Sequence, residues 1–246
     1  MTRVDFSPLA KLYSKHRPTY PAELFAYLAG LAPGRALAWD CATGSGQAAL
    51  GLAEHFDAVV GTDISADQIE QAFQHPRVRY VVAPAERSPH ADASVALVTV
   101  AQGVHWFDLD AFYAEVARVL EPGGVLAVWG YHLARVSDDV DNVLSNYCLD
   151  VLAKHWGPGI QHLVRGYMEM PFVDGEIETP PFVATADWNL ADMEGFLRSW
   201  SATKSYADDI GGDPLGIVWE PLMRAWGDPT SPRRVEWDLF LRVARF

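Results

Sequence analysis

The stretch from Leu37 to Asp63, LAWDCATGSGQAALGLAEHFDAVVGTD, constrains the fold of this chain more than any other. A short apolar run, Ala36 to Trp39, ends in Asp40, and a turn of small residues follows, Cys41-Ala42-Thr43-Gly44-Ser45-Gly46. Gln47 to His55 suits a helix. A second apolar run, Ala58 to Val60, ends in Gly61-Thr62-Asp63. Strand, tight turn, helix and strand, with an acid closing the second strand, is the pattern of a nucleotide-binding βαβ unit. Gly44 and Gly46 permit backbone angles that a β-carbon forbids and let a ligand approach the main chain. The amides that open the following helix lack internal partners and point at whatever binds there. Asp63, roughly 20 residues beyond the turn, is placed to accept hydrogen bonds from ribose hydroxyls.

Two ligands compete for such a unit. Gly44-Ser45-Gly46-Gln47-Ala48-Ala49 fits G-x-G-x-x-A, the dinucleotide pattern of NAD-linked oxidoreductases. Asp40 argues against it, because a carboxylate at the tip of the first strand, facing the cavity, repels a pyrophosphate and suits a cation. No obvious Tyr-x-x-x-Lys pair supports oxidoreductase chemistry either.

The run D-C-A-T-G-S-G resembles the first motif of class I S-adenosylmethionine-dependent methyltransferases, D/E-x-G-x-G-x-G, with Ala42 where glycine is usual. Their cofactor carries an ammonium and a sulfonium and no phosphate. Binding is expected to survive Ala42 in a slightly less permissive turn. Val60-Gly61-Thr62-Asp63-Ile64-Ser65 is similar to the family's second motif, whose acid holds the ribose. The resemblance implies a Rossmann-like α/β fold: a seven-stranded, mostly parallel sheet with helices on both faces, an antiparallel terminal hairpin and a helical cap insertion. It implies cofactor contacts from Asp40, Ala42, Thr43, Gly44, Gly46, Asp63, Ile64, Ala85, Glu86, Ala101 and Gln102.

Composition narrows the partners. The 246 residues carry 32 acidic and 19 basic side chains, a net charge of −13, which disfavours nucleic acid and anionic membranes as partners. Half of the residues are hydrophobic, enough for a sizeable core. Cys41 and Cys148 form no disulfide or metal pattern, and the eight histidines show no paired metal spacing, so a reducing, cytoplasmic setting and no metal are expected. No signal peptide is read in the N-terminal residues and no bilayer-spanning segment anywhere.

Residues 1–34 precede the first strand and are read as an N-terminal lid. Pro18 and Pro21 stiffen Tyr13-Ser14-Lys15-His16-Arg17-Pro18-Thr19-Tyr20-Pro21, and Pro21 is expected in the first turn of a helix over Ala22 to Leu31. The Y-x-x-x-R-P-x-Y-P run resembles the leader of a branch that includes trans-aconitate methyltransferase. There the leader closes over the methionine end of the cofactor, which implies that role for Tyr13, Arg17 and Tyr20. Residues 35–130 are read as the cofactor-binding core. Ser65 is expected to cap a helix from Ala66 to Phe73, followed by a strand from Val78 to Ala83. Ala93 to Ala101 reads as a central strand buried on both faces.

That strand runs into Gln102-Gly103-Val104-His105-Trp106-Phe107. The A-Q-x-x-H-W-F pattern recurs in the same branch, and ligands bind beyond strand C-termini in such sheets. His105 is therefore expected near the transferred methyl as a candidate base, and Trp106 as a substrate wall. Ala111 to Leu120 reads as a helix ended by Pro122-Gly123-Gly124, before a fifth strand from Val125 to Trp129. Residues 131–180 are read as the cap insertion and 181–246 as C-terminal strands and helices, with strands at Phe182 to Trp188 and Arg234 to Phe246. Helices are expected at Leu190 to Trp200 and Leu215 to Trp226. Arg198-Ser199-Trp200-Ser201 resembles a substrate-side element, and Arg17 and Arg198 are the candidates for holding an anionic acceptor by a bidentate contact. The expectation is methyl transfer to a small molecule, a carboxylate or a hydroxyl, by a monomer or homodimer. The alternatives are a catalytically silent cofactor-binding subunit and an NAD-linked oxidoreductase.

Overall fold

The computed structural model describes residues 17–157 and 159–246. Tyr13 lies outside the described residues. The first described helix, α1 (Ala22–Leu31), starts one residue after Pro21, which takes the extended N-cap position and not the first turn. It leads into β1 (Leu37–Cys41), α2 (Gln47–Ala53), β2 (Ala58–Asp63), α3 (Ala66–Glu70) and β3 (Val78–Val82). Ser65 caps α3 as expected, its Oγ accepting from the Gln68 amide at 3.3 Å.

β4 (Val95–Ala101) is followed by a short 3-10 turn (Val104–Trp106), α4 (Leu109–Val119) and β5 (Leu120–Tyr131). The glycine pair does not stop α4. That helix has already ended at Leu120, whose backbone is extended, and Glu121–Gly124 form an excursion inside β5 where the register against β4 slips. Gly123 there has φ +80°, a value glycine adopts without steric penalty.

The remaining elements are α5 (Asp138–Asn146) with a π turn (Tyr147–Val151), α6 (Ile160–Val164), β6 (Glu176–Ile177), β7 (Phe182–Trp188), α7 (Leu190–Arg198), α8 (Ser201–Ile210), α9 (Leu215–Trp226) and β8 (Arg233–Arg245). Asn189 caps α7 in a reciprocal capping box with Asp192. α8 is absent from the sequence reading.

The sheet runs β3-β2-β1-β4-β5-β8, with β3 to β5 parallel and β8 antiparallel to β5. β6 and β7 both pair with β8, at Val243–Ala244 and Arg233–Leu239 respectively. The eight strands thus fill seven columns, because the two-residue β6 shares the outer column with β7. This is the mixed, mostly parallel α/β sheet expected, with the antiparallel pair at its edge.

Alternation along the strands builds two cores. Leu97, Val125, Ala127 and Trp129 face α1 and α2, while Val98, Val100, Leu126 and Val128 face α4. β4 is buried at every position but its last, as a parallel strand covered on both faces must be. A third cluster joins α5, α7 and α9 to β7 and β8 around Trp237. The 131–180 stretch divides between these layers. α5 packs in the third cluster, whereas Tyr167 and Met170 lie against the α4 face of the sheet. Among the described residues no helix is long and apolar enough to cross a membrane.

Candidate functional site

The parallel strands end on one side of the sheet, and the chain order reverses between β1 and β4. Such a reversal leaves a crevice at the strand ends where ligands bind in open α/β sheets. The small-residue turn after β1 enters it. Ala42, Gly44 and Gly46 have φ of +53°, +54° and +86°. The one departure from the glycine motif therefore falls on a left-handed position, where a β-carbon costs about 1–2 kcal/mol.

Asp63 fixes this turn from the end of β2. Its Oδ2 accepts from the Gly44 amide at 3.0 Å and its Oδ1 from the Ser65 amide at 2.9 Å. Each carboxylate oxygen keeps a further lone pair for an incoming hydroxyl. Burial raises the Asp63 pKa, with the Ser65 and Gly44 amides pulling it down. Beside it Ile64 is 58% exposed, a large apolar side chain without cover. Ala85 is buried, and Glu86 accepts from the Asp108 amide at 3.1 Å, which joins the loop after β3 to the cap of α4.

Asp40 differs from the expectation of a carboxylate turned to the cavity. It is fully buried, with Oδ2 accepting from Thr43 Oγ1 at 2.5 Å and Oδ1 from Thr99 Oγ1 at 2.8 Å. Burial pushes its pKa up to about 6, against the two hydroxyls that lower it. Its place is under the turn, tying Thr43 to β4. The partner Thr99 was missed, although it is the lone polar residue in the run VALVTVA, and a buried hydroxyl needs a partner.

Ala101 ends β4 and Gln102 follows it. Gln102 has φ +60° and donates its amide to the Trp129 carbonyl at 2.8 Å, while its side-chain Nε2 is buried with no hydrogen-bond partner among the described residues. His105 and Trp106 follow on the 3-10 turn, Trp106 42% exposed. His105 Nδ1 lies 2.8 Å from Tyr167 Oη. Burial first, and the charge of His162 second, lower the His105 pKa to about 4, so the ring is neutral at pH 7.

The two candidate arginines are committed to the protein. Arg17 donates Nη1 to Tyr131 Oη at 2.8 Å and Nη2 to the Ser199 carbonyl at 3.2 Å, and it lies over the Phe196 ring at 5.5 Å. Tyr20 packs edge-on against Trp129, 5.4 Å between ring centroids. The described part of the leader is therefore seated on β5 and α7. Arg198 was expected to face an anionic acceptor. It instead donates Nε to Glu194 at 2.8 Å and Nη2 to Asp213 at 3.0 Å, spanning α7 and the turn before α9. Tyr131, His162 and Tyr167 were not singled out in the sequence; the contacts of Tyr131 with Arg17 and of Tyr167 with His105 arise only through long-range folding, with no local motif to mark them. No group of acidic, cysteine and histidine side chains that could hold a metal occurs among the described residues.

Comparison with known proteins agrees with this geometry. Residues 39–128 match the family model described as a methyltransferase domain. A curated protein of Dictyostelium discoideum, named as a methyltransferase, is 31% identical over 225 residues, covering 90% of this chain and 86% of its own. An S-adenosylmethionine-dependent methyltransferase by name, from Saccharomyces cerevisiae, is 24% identical over 95% of this chain and 94% of its own. A solved structure from Anaeromyxobacter dehalogenans, described as a type II methyltransferase, superposes with a TM-score of 0.86 at 44% identity, covering 93% of this chain and 97% of that one.

The fold and the crevice are those of a nucleoside-binding α/β transferase. The chain belongs to the class I S-adenosylmethionine-dependent methyltransferases, an enzyme family, and its cofactor is S-adenosylmethionine. The G-x-G-x-x-A match of Gly44 to Ala49 is accordingly no dinucleotide fingerprint.

Proposed function

We propose that this enzyme methylates the hydroxyl of a small molecule bound over the ends of β4 and β5. The observation that carries the reading is the His105–Tyr167 pair at the end of β4, a neutral imidazole held by a phenol. The residues around the crevice fit the cofactor. Asp63 offers free lone pairs for the ribose, Ile64 an uncovered apolar surface for adenine, and Gln102 an orphaned donor at the end of β4. Glu86 and Ala85 line the adenine side, the turn Ala42-Thr43-Gly44-Ser45-Gly46 passes beneath, and Ala101, Gln102, Tyr20 and Arg17 close the methionine end. Asp40 acts through Thr43 by holding the turn.

When bound, S-adenosylmethionine supplies a methyl group on a sulfonium that is already a good leaving group. The protein's share is then alignment and exclusion of water, which can account for several kcal/mol of a barrier. His105 takes the hydroxyl proton at Nε2 as the acceptor oxygen gains the methyl group. A ring near pKa 4 is a weak base, and it suffices because an oxygen being methylated becomes strongly acidic. A carboxylate acceptor, which the resemblance of the leader implies, needs a cation in place of a base, and Arg17 and Arg198 are both engaged elsewhere. The cysteines are free and buried, in keeping with a cytoplasmic enzyme. The net charge of −13 supports a small-molecule acceptor over nucleic acid.

The test is calorimetric titration with S-adenosylhomocysteine and with NADH, followed by a methylation screen of matched phenols, alcohols and carboxylic acids. Micromolar binding of S-adenosylhomocysteine alone, with turnover on hydroxyl acceptors and loss of that turnover in His105→Ala, is the expected result. Turnover confined to carboxylic acids, or intact in His105→Ala, overturns it.

A further inference from the structure

His105 is gripped from two sides by the segment between α5 and β6, far from it in sequence. Tyr167 Oη meets Nδ1 at 2.8 Å on one side. On the other, the main chain at Gly159 lies so close that a β-carbon there would overlap Cδ2 of the imidazole. Gly157 does the same for Trp106, whose ring would stand 2.7 Å from an added β-carbon. Two glycines thus let the backbone lie flat against the two rings of the 3-10 turn.

The placement of Tyr167 is strained and heavily secured. Its φ is +61°, directly after Gly166 at +62°. A non-glycine residue in the left-handed region persists only where its surroundings over-determine it, and such residues cluster at functional sites. Here the Tyr167 amide donates to the His162 carbonyl at 2.7 Å, and its carbonyl accepts from Arg242 Nη1 at 3.0 Å. The ring is 1% exposed and sits edge-on to Phe240. Arg242 is itself buried. It also donates to the Met170 carbonyl at 2.9 Å, forks onto both oxygens of Glu176 at 2.8 Å each, and lies 4.2 Å over Phe172. A buried guanidinium on β8 thereby anchors the turn that presents the phenol.

We propose that Tyr167 is the positioning residue of His105, with the Gly159 main chain as the seat of the ring. The phenol occupies Nδ1, and Nε2, which has no hydrogen bond among the described residues, is left facing the acceptor. The tautomer follows from the same contact, since Nε2 accepts a proton only when Nδ1 carries the hydrogen and donates it to Tyr167 Oη. This rests on the reading of His105 as the proton acceptor. The assignment of Tyr167 as its holder is separable, because ring-nitrogen chemistry is measurable without any acceptor.

The experiment is a two-bond nitrogen–proton correlation spectrum of the imidazoles, assigned with His105→Gln, in wild type, Tyr167→Phe and Gly159→Ala. S-adenosylhomocysteine affinity is measured on each. The expected result is one His105 tautomer, protonated at Nδ1, in wild type and a mixture of both in Tyr167→Phe, with S-adenosylhomocysteine affinity within about twofold of wild type. With a hydroxyl acceptor, Tyr167→Phe is expected to lose about tenfold in kcat at unchanged cofactor KM. An unchanged single tautomer in Tyr167→Phe overturns the proposal, as does a wild-type ring protonated at Nε2. Loss of cofactor affinity in Tyr167→Phe also overturns it, by moving Tyr167 to the cofactor side. Tyr167→Phe keeps the ring and its packing, so the outcome stands even where Gly159→Ala fails to fold. Failure of the wild type to bind S-adenosylhomocysteine would sink the functional reading and leave the ring-nitrogen result to decide this one.

Discussion

Ala42 and Gly103 face each other across the tips of β1 and β4, and a β-carbon added to Gly103 would stand 2.9 Å from the Ala42 Cβ. The φ of Gly103 is −122°, which any residue tolerates, so its smallness answers to Ala42 alone and not to backbone strain. The two positions share one methyl group's worth of space.

That relationship predicts a coupled pair. Gly103→Ala is expected to cost about 1–3 kcal/mol through overpacking. Ala42→Gly relieves a left-handed alanine and is expected to gain up to about 1 kcal/mol, less what the freer unfolded chain takes back. In the double variant the Gly103→Ala cost should shrink by more than about 0.5 kcal/mol. Urea denaturation of the four proteins measures it, and strict additivity would break the link.

Asp63 holds two backbone amides and is assigned the ribose. Asp63→Ala is expected to weaken S-adenosylhomocysteine binding by about tenfold or more, since the turn loses its tether and the hydroxyls their acceptor. Calorimetry reads this directly. An unchanged dissociation constant would remove Asp63 from the cofactor site.

Asp40 carries a stability cost that depends on pH. Its folded pKa of about 6 lies above the ordinary carboxylate value of 3.8, so the folded state holds the proton through a window where the unfolded chain has released it. Stability from this group is full below the lower value and is lost as pH rises through about 6. Asp40→Asn should therefore stabilise the protein by roughly 1–3 kcal/mol at pH 8 and by much less at pH 4. Chemical denaturation at the two pH values tests the sign.

His90 works the other way. It packs on Trp39 at 5.3 Å between ring centroids, and its Nε2 has no partner among the described residues. Burial, with the Arg79 charge second, pushes its pKa down to about 4 from 6.5. The unfolded chain takes up the proton first as pH falls, so this group's contribution is intact above pH 6.5 and is lost on the way down to about 4. His90→Leu should flatten the acid limb of a stability–pH curve by about 1–3 kcal/mol, with His105 supplying a second part of that limb. Equal slopes in both proteins would show that His90 titrates normally.

The parts legible in the sequence were those that local chemistry decides. Ser65 and the Gly44–Gly46 turn announce themselves by residue type, and Leu215–Trp226 by an apolar stripe strong enough to carry Pro221 within the helix. α8 was silent because SATKSYADDI buries only the small side chains of Ala202 and Thr203, so no large apolar residue marks its buried face. Of the His105–Tyr167 pair only His105 stood out in the sequence, for a different reason. Tyr167 is 62 residues away in the chain, and an arginine on β8 gripping two carbonyls holds the turn that brings its phenol to the ring. For Arg198, an R-S-x-S string does not say which way its guanidinium turns, and here it pairs with two acids, Glu194 and Asp213.

β8 follows every other described element in the chain, yet it pairs with β5, β6 and β7 and carries Arg242. During synthesis the parallel strands from β1 to β5 are complete long before it emerges, and their contacts are the nearer ones along the chain. The crevice of the Asp63 turn can thus take shape early, whereas the grip on His105 must wait for β8 to dock. A nascent or nicked chain lacking that strand would be expected to recognise the nucleoside before it could orient its imidazole, so ligand-assisted folding and catalytic competence would arrive in that order.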